Sequence, residues 1–370
     1  MVEDSIRIGI VGCGGFARFA VGEFIKIPGV TVTAMCEPDE NAARAGAAAF
    51  GVPNVDDAEA LARRADVDLV YIGTPPALHH PQALAALRAG KHVICEKPLA
   101  VSNEQADELV QAAHAQDRLL VANLMQRYNP LFAAVQRLIA SQLLGSVLHG
   151  FLENYASDEK LSREHWFWDE QMSGGIFIEH GVHFFDLFEG WLGPGDVVAA
   201  QRGLRPGSGL ADQVQCTVAH ASGAFVNHYH GFTQPARLDR QMFRLLFERG
   251  DVTLYEWVPT RMVVRALVDE ATVSRLTALL PGVTVETLAK YEGDDRNVLG
   301  YHKPFEADRM IELRIGEGVE KMTRYAEILQ GVFRDQLTWI RDRSHQRTIT
   351  EENGRRSVAL AVAATRLAQG

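Results

Sequence analysis

Short apolar runs alternate with helical patterns through the first 125 or so residues, and this alternation constrains the fold more than any other feature. Runs that are apolar on both faces predict buried strands, and helices between such strands predict a parallel sheet covered on both sides. The predicted strands are Ile6–Val11, Val30–Cys36, Leu69–Ile72, His92–Cys95 and Leu119–Ala122. The predicted helices are Phe16–Ile27, Asn41–Phe50, Ala58–Arg64, Pro81–Ala89 and Glu104–Ala115, the last behind a Ser102/Asn103 cap. This is a doubly wound α/β domain.

The pattern changes after Arg127-Tyr128-Asn129-Pro130, where strands begin to follow one another without intervening helices. Such a run predicts a mostly antiparallel α+β domain built on a large open sheet. The predicted strands are Ser146–Ala156, Val197–Leu204, Gln213–His220, Ala224–Thr233, Met242–Glu248 and Val252–Trp257, with a tight turn at Arg249-Gly250-Asp251. The predicted helices are Leu131–Ser141, Ile176–Leu192, Val319–Arg341 and Glu351–Ala368, whereas Ala266–Gly318 mixes helix and loop signals.

The length of 370 residues also favours two domains. We predict a dinucleotide-binding Rossmann domain at 1–125 and a substrate-binding and oligomerisation domain at 126–348. A C-terminal helix at 349–370 is expected to pack back on the domains.

Charge and cysteine content narrow the class of protein. The net charge of −10 without a basic stripe argues against a nucleic-acid partner. No run approaches the ~20 apolar residues that a bilayer requires, and the acidic start Met1–Arg7 is unlike a secretory signal. The four scattered cysteines form no Cys-x-x-Cys pair, which indicates a reducing compartment. We therefore expect a cytoplasmic protein.

A glycine-rich turn links the first strand to the first helix. Gly12, Gly14 and Ala17 fit the pattern G-x-G-x-x-A, and Cys13, Gly15 and Phe16 complete the turn. Gly12 permits the tight turn, Gly14 lets the backbone approach a pyrophosphate, and Ala17 allows close helix packing. The amides and dipole at the helix start favour an anion. The turn predicts dinucleotide binding, although glycine turns of this kind also occur for packing alone.

Glu37 ends the second strand about 20 residues beyond the glycines, where a carboxylate contacts the adenosine ribose. A carboxylate accepts hydrogen bonds from both ribose hydroxyls and repels a 2′-phosphate, and no arginine follows it directly. NAD is therefore predicted over NADP. The alternative is a solvated glutamate in a strand-to-helix loop.

Three further segments carry a resemblance to a known family. They are Gly73-Thr74-Pro75-Pro76 with His79-His80, Gly90-Lys91-His92-Val93-Ile94-Cys95-Glu96-Lys97-Pro98-Leu99, and Gly174-Gly175 before Glu179-His180-Gly181-Val182-His183. In this order and spacing the chain resembles the glucose–fructose oxidoreductase/inositol dehydrogenase (Gfo/Idh/MocA) family. The resemblance implies hydride chemistry on sugars and polyols and a homodimer or homotetramer built on the open sheet face. It also implies cofactor contacts at Thr74, Pro75, His79, Glu96, Lys97 and Asn123.

The predicted catalytic residues are Lys97, His183 and Glu179. Lys97 follows the carboxyl end of a parallel strand, where its ammonium can stabilise a developing alkoxide. A neutral His183 can take a hydroxyl proton and return it in the reverse direction. Glu179 lies one helical turn before His183, where the family usually carries Asp. With the longer side chain two roles stay open: contact with the substrate, or support of His183.

Other candidates are less specific. We predict substrate contacts for Lys97, His183, Arg127, Tyr155, Trp166 and His180. For Arg127 and for Asn129 beside it, a structural loop anchor is an equal alternative, and Trp166 has an interface role as its alternative. His228 and His230 are expected to be half-exposed sheet residues. No metal is predicted, because the spacing of His180, His183 and Asp186 comes without a complementary ligand set.

The sequence therefore predicts an NAD-dependent oxidoreductase that moves a hydride to or from a carbinol carbon of a sugar, cyclitol or related polyol. Two alternatives remain. One is a redox-assisted sugar lyase or glycosidase that holds NAD tightly, and the other is a non-catalytic, cofactor-binding regulator.

Overall fold

The computed structural model describes residues 5–300, 303–316 and 318–370. Met1–Asp4, which carry most of the acidic start, therefore lie outside the described residues, as do Tyr301, His302 and Glu317 within the stretch that gave mixed signals. The chain forms two compact units. One comprises Met1–Tyr128, Arg163–Asp186 and Ala326–Arg366, and the other Asn129–Ser162, Leu187–Tyr325 and Leu367–Gly370.

The first third of the chain alternates strands and helices as the sequence predicts. Its elements are β1 (Ile6–Val11), α1 (Gly15–Phe24), β2 (Val30–Cys36), α2 (Glu40–Phe50), α3 (Ala58–Ala62), β3 (Leu69–Ile72), α4 (His79–Arg88), β4 (His92–Cys95), α5 (Asn103–Gln116) and β5 (Leu120–Ala122). The strands pair in parallel in the order β2-β1-β3-β4-β5. β3 is buried at every position, as a strand covered by helices on both faces must be. The doubly wound sheet is confirmed.

The remainder of the chain is richer in strands. It contains α6 (Pro130–Ser141), β6 (Val147–Ser157), α7 (Glu170–Ser173), a π-helical turn (Phe177–Gly181), α8 (Val182–Leu192), β7 (Gly195–Leu204), β8 (Ala211–His220), β9 (Phe225–Gln234), β10 (Arg240–Phe247), β11 (Gly250–Tyr255), β12 (Arg261–Val268), α9 (Glu270–Leu279), β13 (Thr284–Lys290), β14 (Asn297–Gly300), β15 (Lys303–Glu306), β16 (Arg309–Ile315), α10 (Lys321–Arg341) and α11 (Glu351–Gln369).

Nine of these strands form one sheet in the order β13-β16-β12-β11-β10-β6-β9-β8-β7. Its pairs are antiparallel apart from β6 with β9, so the mostly antiparallel open sheet is confirmed. β12, β13 and β16 were not predicted. β13 is exposed at nearly every position and therefore shows no apolar alternation.

The spatial units differ from the predicted boundaries. Residues 163–186 and 326–366 belong with the parallel sheet, although the sequence placed most of them in a continuous second domain. Contacts explain the difference. Phe333 of α10 stacks on Phe24 of α1 with ring centroids 4.6 Å apart. A Cβ on Gly354 of α11 would lie 3.1 Å from Leu99, so this helix packs on the loop after β4.

Two local predictions need correction. The helix predicted over Ile176–Leu192 is π-helical at Phe177–Gly181 and becomes α-helical from Val182. The turn predicted at Arg249-Gly250-Asp251 is instead the pair Glu248-Arg249, because Gly250 already pairs with Phe247 in the ladder. A Cβ at Gly250 would lie 2.2 Å from the Arg265 carbonyl oxygen, so glycine serves a close strand approach there. Among the described residues, no helix is long and apolar enough to cross a bilayer.

Candidate active site

The turn between β1 and α1 forms an open cradle. Gly12 has φ +79°, and a Cβ there would lie 2.7 Å from Thr74 Cγ2 and 2.9 Å from the Gly73 carbonyl, so only glycine fits. Gly14 begins α1 without a side-chain cap. Apart from chain neighbours and the backbone of α1 itself, no atom of the described residues lies within 4 Å of a Cβ built on Gly14 or Gly15. The start of α1 therefore offers space, backbone amides and a positive dipole to an anion.

Glu37, at the end of β2, is held beside this turn by two backbone amides. Its Oε2 accepts from the Cys13 N–H at 2.7 Å and its Oε1 from the Asp39 N–H at 2.9 Å. Each carboxylate oxygen keeps a further lone pair for a hydroxyl donor. The residues present thus fit a dinucleotide whose adenosine ribose carries free hydroxyls.

A buried hydrogen-bond network lies at the end of β4. Glu96 Oε1 accepts from the Tyr71 hydroxyl at 2.5 Å and from Asn123 Nδ2 at 2.8 Å. Burial raises the pKa of Glu96, against the effect of these two bonds and of Lys97. The buried Asn123 Oδ1 has no hydrogen-bond donor among the described residues, so it is open to one from a ligand. Sequence reasoning missed Tyr71, whose signal is one hydroxyl in an otherwise aliphatic strand.

Lys97 and Glu179 form an ion pair. Lys97 Nζ donates to the Glu179 carboxylate and, at 2.8 Å, to the Glu179 carbonyl oxygen. Their side chains are 18% and 10% exposed, so water screens the pair weakly. An ammonium has three N–H donors, and these two bonds leave one for a ligand hydroxyl.

His183 is a buried histidine on the first turn of α8. Burial lowers its pKa well below 6.5, and the nearby charge of Lys97 lowers it further. The imidazole is therefore neutral near pH 7 and can accept a proton. Glu179 lies in the π-helical turn just before, a rare conformation that recurs at functional sites. Its carboxylate is paired with Lys97, and support of His183 by Glu179 stays a prediction.

His79 starts α4 and is completely buried. Its Nδ1 lies 2.7 Å from the Pro98 carbonyl oxygen and its Nε2 lies 2.7 Å from that of Thr74. Burial lowers its pKa, the two carbonyl acceptors raise it, and Lys97 lowers it while Glu179 raises it. A direct contact of His79 with the cofactor stays a prediction, as do those of Phe16, Ala17 and Pro75.

Arg127 is engaged by Asp186. Its Nε and Nη2 donate to the two Asp186 carboxylate oxygens at 2.8 Å each, and Asn353 Nδ2 donates to one of them at 3.0 Å. Asn129 caps α6 by accepting from the Leu131 N–H at 3.0 Å. Both positions match the anchoring alternative, and substrate contact by Arg127 stays a prediction.

The nine-stranded sheet separates the remaining candidates by face. Tyr155 lies with Phe151 and Tyr229 on the outer face, beside a hollow of about 350 Å³. His228 and His230 lie on the opposite face and are 1% and 0% exposed, so the expectation of half-exposed residues was wrong. They are covered because this face is packed, as the Phe188 ring 5.2 Å from that of His228 shows.

Three further residues have the following positions. Trp166 is half-buried in a short 3₁₀ turn, and His180 is half-buried beside Phe184 with ring centroids 5.1 Å apart. Their substrate contacts stay predictions. Asn154 was missed: it is buried in β6, and neither side-chain polar atom is hydrogen-bonded within the described chain. The feature of the sequence that could have identified Asn154 is an amide side chain at a core-facing position of an alternating strand. No cluster of three or more metal-binding side chains occurs among the described residues.

The chain is similar to known proteins in sequence and in fold. The chain matches a 1,5-anhydro-D-fructose reductase of Ensifer adhaerens, 32% identical over 61% of this chain and 69% of that protein. A dTDP-3,4-didehydro-2,6-dideoxy-alpha-D-glucose 3-reductase of Streptomyces violaceoruber is 37% identical over 39% of this chain, and the match spans only 42% of the relative's length. A dehydrogenase of Bordetella pertussis, solved with NADH and UDP-GlcNAcA, superposes with a TM-score of 0.79 at 19% identity, covering 100% of this chain and 97% of the other.

A five-stranded parallel sheet with an open glycine turn, and Glu37 held beside that turn, define a dinucleotide-binding protein of the Rossmann type. Residues 6–124 match the model of an oxidoreductase family with an NAD-binding Rossmann fold, and residues 132–253 match the C-terminal domain of the same family. The chain belongs to the Gfo/Idh/MocA oxidoreductase family.

Proposed function

We propose that the protein is an NAD-dependent oxidoreductase acting on a CH–OH group of a sugar, cyclitol or related polyol. The observation that carries the proposal is the partly buried Lys97–Glu179 pair, which shares a unit with the neutral His183 and the open glycine turn. Family membership and the sugar reductases among its relatives support the substrate class.

In this proposal the chain's residues handle the proton and the developing charge. Lys97 Nζ donates its remaining N–H to the reacting hydroxyl oxygen and stabilises alkoxide character there. A ring nitrogen of His183 takes the hydroxyl proton and returns it in the reverse reaction. Glu179 holds the Lys97 ammonium in position through its carboxylate and its carbonyl oxygen. Bound NAD supplies a nicotinamide that accepts or gives a hydride, and Gly12–Ala17 and Glu37 would hold it.

The test is turnover across a panel of sugars and polyols with NAD, repeated with NADP, followed at the absorbance of reduced nicotinamide. Lys97→Met and His183→Asn should each lower kcat/KM on the best substrate by about 10²-fold or more. Lys26→Met and His80→Asn are matched controls, because both side chains lie outside the cluster, and they should leave turnover unchanged. Full activity in Lys97→Met and His183→Asn would refute the assignment.

Product analysis belongs in the same experiment. If the sugar is converted but no net reduced nicotinamide forms, the protein is a redox-assisted lyase or glycosidase and not the proposed dehydrogenase. Tight NAD binding with no product across the panel would replace it by a cofactor-binding regulator.

The proposal includes a homodimer or homotetramer formed on the outer sheet face. Phe151, Phe225 and Leu246 are 41%, 51% and 46% exposed on neighbouring strands, an apolar surface that association would bury. Light scattering on the purified chain should give a multiple of 40.8 kDa. Phe151→Glu should shift it towards the monomer, and a strictly monomeric parent protein would contradict the proposal. The four buried free cysteines support a cytoplasmic location.

A further inference from the structure

His79 is a buried histidine that faces two carbonyl oxygens. Both of its ring nitrogens lie 2.7 Å from carbonyl oxygens, and a carbonyl oxygen only accepts hydrogen bonds. A neutral imidazole carries one N–H and one lone pair, so it satisfies one of these two contacts and opposes a lone pair to the other carbonyl. The two bonds exist together only when both ring nitrogens are protonated.

The two carbonyls belong to loops with different tasks. Thr74 follows β3 and packs against the glycine turn, since its Cγ2 lies 2.7 Å from the Cβ position of Gly12. Pro98 directly follows Lys97, so a bond to its carbonyl holds the backbone that carries the ammonium. His79 therefore links the proposed cofactor turn to the proposed catalytic lysine.

We propose that His79 is a proton-dependent positioning residue, which holds both loops when both ring nitrogens are protonated and releases the Thr74 loop when one proton leaves. The inference rests on the proposed function, which gives the two loops their roles.

Burial decides which bond survives. The bond to Pro98 is buried, and no other donor among the described residues bonds the Pro98 carbonyl, so this oxygen would lose its partner without His79. The bond to Thr74 is only partly buried, so water can replace His79 there. Leaving a buried acceptor without a donor costs more than exchanging a partner for water. The neutral ring therefore keeps its proton on Nδ1.

The charged groups that face His79 are Lys97, from the loop after β4, and Glu179, from the π-helical turn. Lys97 opposes protonation and Glu179 favours it, while burial moves the pKa of His79 downward from 6.5. Below that pKa both loops are held, and above it only the loop of Lys97 is held. NAD affinity should therefore weaken as the pH rises through this titration, while the part of kcat that depends on Lys97 does not follow it.

Two substitutions separate the bonds. In His79→Asn the amide nitrogen approximates Nδ1 and keeps the donor to Pro98, whereas in His79→Gln it approximates Nε2 and keeps the donor to Thr74. We expect His79→Asn to weaken NAD binding in acid by about tenfold and to retain kcat at saturating NAD. We expect His79→Gln to keep tight NAD binding and to lower kcat by about tenfold. His80→Asn, a neighbouring histidine paired with Glu108 at the surface, is the control and should behave as the parent.

The decisive measurements are NAD dissociation constants by fluorescence titration from about pH 5 to about pH 8 and ¹⁵N NMR of the His79 ring over the same range. Neither needs turnover, so failure of the proposed substrate class leaves this test intact. The expected result is a ring with two N–H groups in acid and one N–H group above the pKa of His79. NAD affinity should fall with the loss of this proton in the parent protein and should show no such pH dependence in either His79 variant. A ring with a single N–H throughout, an NAD affinity that does not follow the titration, or an equal loss of NAD affinity in both variants would overturn the proposal.

Discussion

At the scale of single residues, we expect Glu37 to determine the choice between NAD and NADP. Its carboxylate is held by the Cys13 and Asp39 amides beside the glycine turn, where a Rossmann fold places the adenosine ribose. We predict that Glu37→Gln lowers the ratio of NAD affinity to NADP affinity by about tenfold or more. The amide keeps the shape of the carboxylate but no longer repels the 2′-phosphate of NADP.

Equilibrium binding of both dinucleotides would measure this ratio. Glu40→Gln is the control, since Glu40 is exposed and lies 3.6 Å from Arg44, and it should leave the ratio unchanged. An unaltered ratio in Glu37→Gln would mean that discrimination resides elsewhere.

Single residues also show where sequence reasoning stops. The glycines, Glu37 and Lys97 were predicted because backbone geometry and strand ends restrict them. The partners of Lys97 and Arg127 could not be predicted, because the Lys97–Glu179 and Arg127–Asp186 pairs join positions 82 and 59 residues apart. Such pairs depend on the folded chain and leave no local pattern.

At the scale of elements, two helical glycines provide a matched pair. Gly46 of α2 faces the sheet, and a Cβ there would lie 2.6 Å from Cys13 Sγ and 2.7 Å from Met35 Sδ. Gly22 of α1 has open space at the same position. Gly46→Ala should lower the free energy of unfolding by about 1–2 kcal/mol through overpacking. Gly22→Ala should raise it by about 0.5–1 kcal/mol through helix propensity.

Urea unfolding of both variants checks this prediction. Because the chemical change is identical, helix propensity alone would give shifts of the same sign. Stabilisation by Gly46→Ala would therefore show that α2 does not lie as close to Cys13 as described.

Most elements with strong periodicity were predicted, but β12 was missed although its burial alternates along the whole strand. The strands of the parallel sheet are mostly apolar, and β8 alternates cleanly. β13 is exposed on both faces, and β14 with β15 forms a separate two-stranded hairpin. Neither needs an apolar stripe, which explains the mixed signals over Ala266–Gly318. The π-helical turn escaped prediction because its apolar side chains also suit an α-helix.

At the scale of the whole molecule, buried histidines make stability depend on pH. Burial lowers the pKa of His230 to about 3 and that of His92 to about 4, and it lowers those of His183 and His228 well below 6.5. These histidines take up protons near pH 6.5 in the unfolded chain but not in the folded chain. The free energy of unfolding is therefore highest above this pH and falls as the pH drops below it. Each such histidine contributes up to about 1.4 kcal/mol per pH unit.

Urea unfolding at about pH 7.5 and about pH 5.5 tests the sign, since this interval lies above the range in which most carboxylates titrate. His230→Asn should reduce the slope of the unfolding free energy against pH, because one histidine fewer takes up a proton on unfolding. This holds whether the variant is more or less stable than the parent. A stability that stays constant or rises towards acid would contradict the prediction.

The unit that contains the parallel sheet is assembled from three separated stretches of chain. Phe24 meets its stacking partner only when Phe333 has been synthesised, and Leu99 is covered only by the helix that carries Gly354. On the ribosome, the first 128 residues emerge long before the helices that cover them. Their apolar surface therefore stays exposed until nearly the entire chain has been synthesised. A fragment cut after the fifth strand would keep that surface exposed to solvent permanently, which makes the isolated N-terminal third a poor unit for expression.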